Sequence, residues 1–129
     1  MPREIVALRD LSQRLHGAKI DLPFTTISPE ELLLRGEVEL AYTDGRRLPG
    51  VAKYRFVLRF EHVVRVEVED PDGLGLVYLE GVLLTANVVE FTSSFSGCIR
   101  VFTADKAAIL QVDARPFAIK RLFRWRQEP

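Results

Sequence analysis

The chain has 129 residues, of which 47% are hydrophobic and 28% are charged, and its 18 basic side chains balance 18 acidic ones. This composition excludes disorder of the whole chain, because disordered proteins have few apolar residues and a large net charge. The length predicts a single globular domain over residues 1–129. We expect a cytoplasmic protein without a transmembrane segment, because no apolar run approaches ~20 residues and the one cysteine favours a reducing compartment.

The first segment has the spacing of an amphipathic helix. Ile5, Leu8, Leu11 and Leu15 recur every three or four residues, which predicts a short N-terminal helix that stops at Gly17. A helix of about thirteen residues is marginal by itself in water, so its apolar stripe should dock on the rest of the domain.

Residues 31–42 and 54–68 alternate between apolar and charged side chains, as half-buried antiparallel strands do. One strand is predicted over 31–42, followed by a turn at Asp44-Gly45. Apolar residues then hold the even positions from Tyr54 to Val68. Fifteen strand residues would span about 50 Å, so either one strand bends or bulges, which we favour, or two strands meet at Glu61-His62.

The rest of the chain predicts more strands and an ambiguous tail. Strands are expected over 76–86, 88–95, 98–104 and 107–113, after a turn at Asp70-Pro71-Asp72-Gly73. Residues 116–126 fit a helix slightly better than a strand, because the apolar side chains gather on one arc, although their aromatic and β-branched content favours a strand.

The predicted fold is mainly β: an antiparallel β-sandwich or open barrel of about 7–8 strands, with a short N-terminal helix and a possible C-terminal helix. The expected inward-facing side chains are apolar residues of these strands: Leu34, Val38, Leu40, Phe56, Leu58, Phe60, Val64, Val66, Leu79, Val89, Phe91, Ile99, Phe102, Leu110 and Val112.

Two histidines and one cysteine are the residues closest to catalytic chemistry. Strand parity places His62 on the apolar side of its strand, where an imidazole can act as a base or a ligand. A structural role is the stronger interpretation for both His62 and His16. A zinc site would need three or four ligands, which these two histidines and one cysteine do not supply. Cys98 is expected to pack as a small apolar side chain, and Ser93 to Gly97 as a hairpin turn. No catalytic set, metal site or cofactor is predicted.

Two clusters of opposite charge are the candidate binding surfaces. The acidic one contains Glu67, Glu69 and Asp70 and suits a basic partner, although a solvated turn is the simpler interpretation. The basic one lies in the tail and interleaves cations with aromatic side chains that could contact a nucleic-acid backbone or an anionic surface. Its cations are Arg115, Lys120, Arg121, Arg124 and Arg126, and its aromatic side chains are Phe117, Phe123 and Trp125. Of these, the candidate binding residues are Lys120, Arg121, Arg124 and Trp125. The simpler interpretation is a terminal element whose aromatic side chains close the core while its arginines face water.

The sequence also resembles a known group of proteins over about half its length. The segment from Leu15 to Ile20, the leucine-rich strand after it and the segment from Val57 to Val63 resemble small, uncharacterised bacterial β-rich proteins, some of which are described as toxin-immunity proteins. Their usual His-Asp-Ala-x-Ile opening has Asp where this chain has Gly17. The resemblance implies a non-enzymatic module that binds another protein.

Three functional hypotheses follow from these observations. The leading one is a bacterial cytoplasmic protein-binding or self-associating module, because opposite patches can pair across an interface. The second is a nucleic-acid or anionic-surface binder that uses the basic tail. The third is a small hydrolase or metal enzyme that uses His62 with Glu61 or His16.

Overall fold

A computed structural model describes residues 3–22, 25–26, 30–43, 49–94 and 96–120. Its elements in chain order are β1 (Arg3–Ala7), a single 3-10 turn (Leu8–Asp10), α1 (Leu11–Arg14), β2 (Lys19–Asp21), β3 (Thr25–Thr26), β4 (Leu32–Thr43), β5 (Pro49–Phe60), β6 (Val63–Glu69), β7 (Leu76–Tyr78), β8 (Gly81–Thr85), β9 (Val88–Ser93), β10 (Gly97–Thr103), β11 (Ala107–Val112) and β12 (Ala118–Lys120). None of the helices in these ranges has the length and apolar character needed to cross a bilayer.

The strands form two antiparallel sheets, so the predicted mainly β class is confirmed. The first sheet has the order β1-β11-β5-β4-β2-β7, with β12 paired to β5 and β3 paired to β4. Its centre is the hairpin of β4 and β5, which pairs twelve residues of each strand from Leu32↔Phe60 to Thr43↔Pro49. The second sheet has the order β6-β10-β9-β8. The strand number exceeds the expected 7–8 because several pairings involve only two or three residues.

One hydrophobic core lies between the sheets. Phe60 of the first sheet and Phe91 of the second are fully buried, and their ring centroids lie 6.3 Å apart in an edge-to-face arrangement. Ten of the expected inward-facing residues are buried, and Val66 and Val112 pack against the core while partly exposed. The period of two therefore identified most of the core correctly.

Three expected core residues lie elsewhere. Leu40 is 42% exposed, because the twelve-residue β4 extends past second-sheet strands of five to seven residues. Val64 is 86% exposed, at the register shift where β10 passes from Phe102↔Arg65 to Thr103↔Val63. Phe102 faces outward, and its ring lies 4.1 Å from the guanidinium carbon of Arg65.

The N-terminal helix is shorter than expected, because its first turn is a strand instead. Residues 3–7 pair with β11, and two β-branched neighbours suit that conformation: Val6 is buried while Ile5 is 78% exposed. The helical spacing holds from Leu8 onward, since Leu8, Leu11 and Leu15 are all buried. The predicted stop is also confirmed, because Gly17 has a φ of +72° in the turn after α1.

The long run from Tyr54 to Val68 is two strands rather than the bent strand we favoured. β5 ends at Phe60 in the first sheet and β6 begins at Val63 in the second. Glu61 and His62 form the bend between them, so the chain crosses from one sheet to the other in two residues. Crossing after Phe60 lets both strands contribute to the same core, β5 through Phe60 and β6 through Val63.

Two later segments also differ from expectation. Residues 76–86 form two strands, β7 in the first sheet and β8 in the second, separated by Leu79 and Glu80. The expected helix from Pro116 is wrong at its start, because Ala118–Lys120 is a strand that pairs with Val51 to Lys53 of β5. Residues 121–126, the rest of that predicted helix, lie outside the described residues.

Candidate functional site

His62 lies at the bend between the sheets and is held by Asp105. Its Nδ1 lies 3.0 Å from Oδ1 of Asp105, and its backbone N–H donates to Oδ2 of the same carboxylate over 3.1 Å. The imidazole is 70% exposed, whereas the carboxylate is 19% exposed. The ring therefore lies in solvent rather than on the apolar face predicted from strand parity. Its carboxylate partner is Asp105 rather than Glu61.

Thr103 completes a hydrogen-bonded network around this pair. Its hydroxyl donates to the backbone carbonyl of His62 over 2.6 Å and accepts from the backbone N–H of Asp105 over 3.0 Å. The network joins the β5–β6 bend to the turn between β10 and β11. Because Asp105 is bonded to both the ring and the backbone, the ring orientation is fixed and Nε2 is directed away from the carboxylate.

A small groove of about 200 Å³ borders the exposed ring; we name it the histidine groove. Ile5, Ala107, Ala108 and Ile109 form an apolar wall. Arg59 and Glu61 supply charge beside His62. The guanidinium of Arg59 pairs with Glu31, while its buried Nε has no hydrogen-bond partner among the described residues.

A larger groove of about 310 Å³ lies on the other side of Asp105; we name it the apolar groove. It separates the segment after β1 from the hairpin of β8 and β9. Its lining is mostly aliphatic: Ala7, Leu8, Arg9, Leu84, Thr85, Ala86, Val88, Val89, Thr103, Asp105 and Lys106. Leu84 is 42% exposed there, and the neighbouring Leu83 is 58% exposed.

The apolar groove has a cationic rim. The side chain of Arg9 is 83% exposed and lies 4.0 Å from the Asp10 carboxylate, a separation at which a solvent-exposed pair interacts weakly. Lys106 is exposed and lines the groove next to Asp105. Neither these cations nor Asp105 could be identified from the sequence, because no local pattern marks the proximity of residues 105 and 106 to residues 7–9.

The predicted acidic cluster is largely engaged within the chain. Glu69 bonds to the guanidinium of Arg100 over 3.2 Å, and Glu67 lies 3.5 Å from Arg65. The Asp70 carboxylate accepts the backbone N–H groups of Leu74 and Gly75, which fixes the turn after β6. These charges support the outer face of the second sheet and the adjoining turn.

Cys98 is part of the same outer face. Its thiol lies 3.4 Å from Oε2 of Glu69, and burial, followed by this contact, raises the pKa of Cys98. The Arg100 guanidinium, followed by the Cys98 thiol, holds the pKa of Glu69 below its ordinary value of 4.5. A buried thiol with a raised pKa is a poor nucleophile, in agreement with the predicted packing role.

The basic tail falls mostly beyond the described residues. Arg121, Arg124 and Trp125 lie outside the described part of the chain, and Lys120 is described only by its backbone in β12. In the described part of the tail, the Phe117 ring lies 4.5 Å from the guanidinium carbon of Arg55. This contact attaches the beginning of the tail to the first sheet.

The remaining candidates have ordinary positions. His16 is exposed in the turn after α1, and Ser94 and Ser96 lie in the turn between β9 and β10 as expected. The Ser96 hydroxyl is buried and accepts the backbone N–H of Tyr78 over 2.9 Å. Over the ranges that the structure describes, no group of three or more His, Cys, Asp or Glu residues is arranged to hold a metal ion.

Comparison with protein-family models, with curated proteins and with solved structures finds no match to this chain.

Proposed function

We propose that the chain is a protein-binding module and that its partner docks in the apolar groove. The observation that carries this proposal is an aliphatic groove with an exposed leucine, Leu84, in its lining and a second exposed leucine, Leu83, next to it in β8. Adjacent exposed leucines on a short strand cost solvation free energy unless a partner covers them. The resemblance to bacterial β-rich proteins, some of them toxin-immunity proteins, supports the same class of function.

The size and charge of the groove select the kind of partner. Small-molecule sites commonly enclose ~300–1,000 Å³, so about 310 Å³ in an open groove suits one or two apolar side chains of a peptide segment. Arg9 and Lys106 favour a carboxylate next to those side chains. The expected partner is a protein segment in which an apolar residue is flanked by Asp or Glu.

A peptide-display selection on the full chain tests this proposal. Selected sequences should combine one or two large aliphatic or aromatic residues with acidic neighbours. Ala86→Trp, which fills the groove, should abolish their binding, whereas Ala114→Trp, at an exposed site outside the groove, should preserve it. Lys106→Glu should weaken binding about tenfold at low salt and less at high salt. Equal binding by the parent and Ala86→Trp would refute the docking site.

The orientation of His62 favours a second candidate function, a small esterase. In this proposal Nε2 takes a proton from water while the water oxygen attacks an ester carbonyl in the histidine groove. The C–O bond then breaks and the proton passes to the leaving alkoxide. Asp105 accepts a hydrogen bond from Nδ1–H, which fixes the tautomer of the neutral imidazole and stabilises the imidazolium that forms.

Hydrolysis of p-nitrophenyl butyrate distinguishes this candidate from a structural histidine. His16→Ala is the matched control, because His16 is also exposed but is placed in the turn after α1. Activity that His62→Ala removes, that Asp105→Asn reduces and that His16→Ala preserves would support the esterase. A parent rate no higher than that of free imidazole at the same concentration would eliminate it.

A further inference from the structure

We propose that two copies of this chain associate through the free edge of β1, which pairs antiparallel with itself across a two-fold axis at Ile5. β1 is the last strand of the first sheet, and in the described chain its only strand partner is β11. An edge strand presents unpaired N–H and C=O groups that can extend the sheet into a second molecule.

The register shows which backbone groups are free. The N–H of Leu8 donates to the carbonyl of Lys106, and Ala7 is the Cα partner of Ala107. Because bonding alternates along an antiparallel ladder, Glu4 and Val6 bond to β11, while the N–H and C=O groups of Arg3, Ile5 and Ala7 are directed outward.

The free edge is self-complementary. A two-fold axis at Ile5 sets Ile5 opposite itself, Arg3 opposite Ala7, and Glu4 opposite Val6 of the second copy, which permits about six new backbone hydrogen bonds. No like charges stand directly opposite each other in this register. The two Glu4 carboxylates approach diagonally, and each is paired with Arg14 of its own chain, which lowers the pKa of Glu4.

The side chains on the outer face fit the same arrangement. Ile5 is 78% exposed, and its cross-strand neighbour in the same chain is Ile109. Association would therefore form a continuous row of four isoleucines across the two sheets. β-branched residues directly opposite each other are favourable cross-strand pairs. Many edge strands carry Lys or Pro where this edge carries Ile5, a choice that suits pairing.

Sedimentation velocity of the full chain over a concentration series tests the proposal. The parent should show a monomer–dimer equilibrium that changes little with salt, because backbone bonds and apolar contacts dominate. Ile5→Lys sets two cations opposite each other and should raise the dissociation constant at least ~100-fold. Val64→Lys, a matched change of an exposed β-branched residue on β6, an edge strand of the second sheet, should leave it unchanged. Far-UV circular dichroism checks that both variants fold.

Amide hydrogen exchange supplies the decisive second readout. In the monomer the N–H groups of Ile5 and Ala7 face solvent, whereas those of Glu4 and Val6 are bonded to β11. The dimer should protect Ile5 and Ala7 in a concentration-dependent way and leave the protection of Val6 unchanged. A parent that stays monomeric, a dimer that survives Ile5→Lys, or Ile5 exchange that is independent of concentration would overturn the proposal.

Discussion

At Gly36 in β4, the backbone of the neighbouring strand β2 leaves no room for a side chain. A Cβ at this position would lie 2.0 Å from the carbonyl oxygen of Lys19 and 3.0 Å from Cε2 of Phe56. The first of these atoms belongs to the backbone and cannot rotate away. The variant Gly36→Ala therefore forces β2 to retreat until this distance reaches about 3.4 Å, where ordinary contact begins.

The loss of unfolding free energy caused by this shift depends on the contacts that hold β2 in the sheet. The strand pairs with β4 through Lys19↔Glu37 and Ile20↔Gly36, and Ile20 is fully buried. Two weakened ladder hydrogen bonds cost about 1 kcal/mol each, and partial exposure of Ile20 costs about 1–2 kcal/mol. Replacing glycine restricts the unfolded chain and returns about 0.4–1 kcal/mol. We expect the free energy of unfolding to fall by about 2–4 kcal/mol.

Urea denaturation followed by far-UV circular dichroism measures this change. Gly81→Ala is the matched control: Gly81 is also in a strand, and the atom nearest to its added Cβ is Thr92 Oγ1 at 3.5 Å, an ordinary contact. We expect the control to stay within about 0.5 kcal/mol of the parent. If Gly36→Ala and Gly81→Ala proved equally stable, the inferred close contact between β2 and β4 would be wrong.

Three further predictions concern the turn and outer face of the second sheet. Gly97→Ala should destabilise the fold more than Gly73→Ala, because φ at Gly97 is +106° and an added Cβ would lie 2.1 Å from the Glu69 carbonyl oxygen. Gly73 has a φ of +64°, and nothing lies within 4 Å of a Cβ added there. The midpoints of urea unfolding compare the two variants, and equal midpoints would contradict the clash at Gly97. Because Arg100 lowers the pKa of Glu69 in the folded state, the ionised Glu69 stabilises the fold above pH 4.5, and this contribution is lost as the pH falls through the folded pKa. The difference in unfolding free energy between the parent and Glu69→Gln should therefore shrink on acidification. A difference that stays constant with pH would argue against the ion pair. The raised pKa and burial of Cys98 predict slow reaction with a thiol-specific disulfide reagent at neutral pH until the chain unfolds, so a rate equal to that of free cysteine would refute the assigned environment.

Local patterns predicted the fold class well, because the core of a two-sheet protein appears in the sequence as an alternation of apolar and polar residues along each strand. The even positions from Leu32 to Val38 and from Phe56 to Phe60 are all buried, as the period of two requires. The N-terminal segment was ambiguous for a physical reason. Its apolar positions fit a helix, but pairing with β11 is a tertiary interaction that overrides local spacing over residues 3–7.

The candidate site could be predicted only in part. The sequence identifies His62 as a residue that could act as a base or a ligand. Its exposure depends on β5 ending at Phe60, and no Gly or Pro marks that bend. Its partner Asp105 lies 43 positions later in the chain. The contact depends on which strands pair, information that composition and periodicity do not contain.

The pairing of Arg3 with Gln111 has a consequence for how the molecule forms. During synthesis β1 is made before β11, its only strand neighbour among the described residues, and β11 follows only after nearly every other described strand. Closing such a distant contact is entropically slow, and all-β domains of high contact order fold in milliseconds to seconds. Until β11 is made, the edge of β5 opposite β4 is unpaired by β11. The nascent chain therefore exposes an unpaired strand edge to chaperones and to other chains on the polysome.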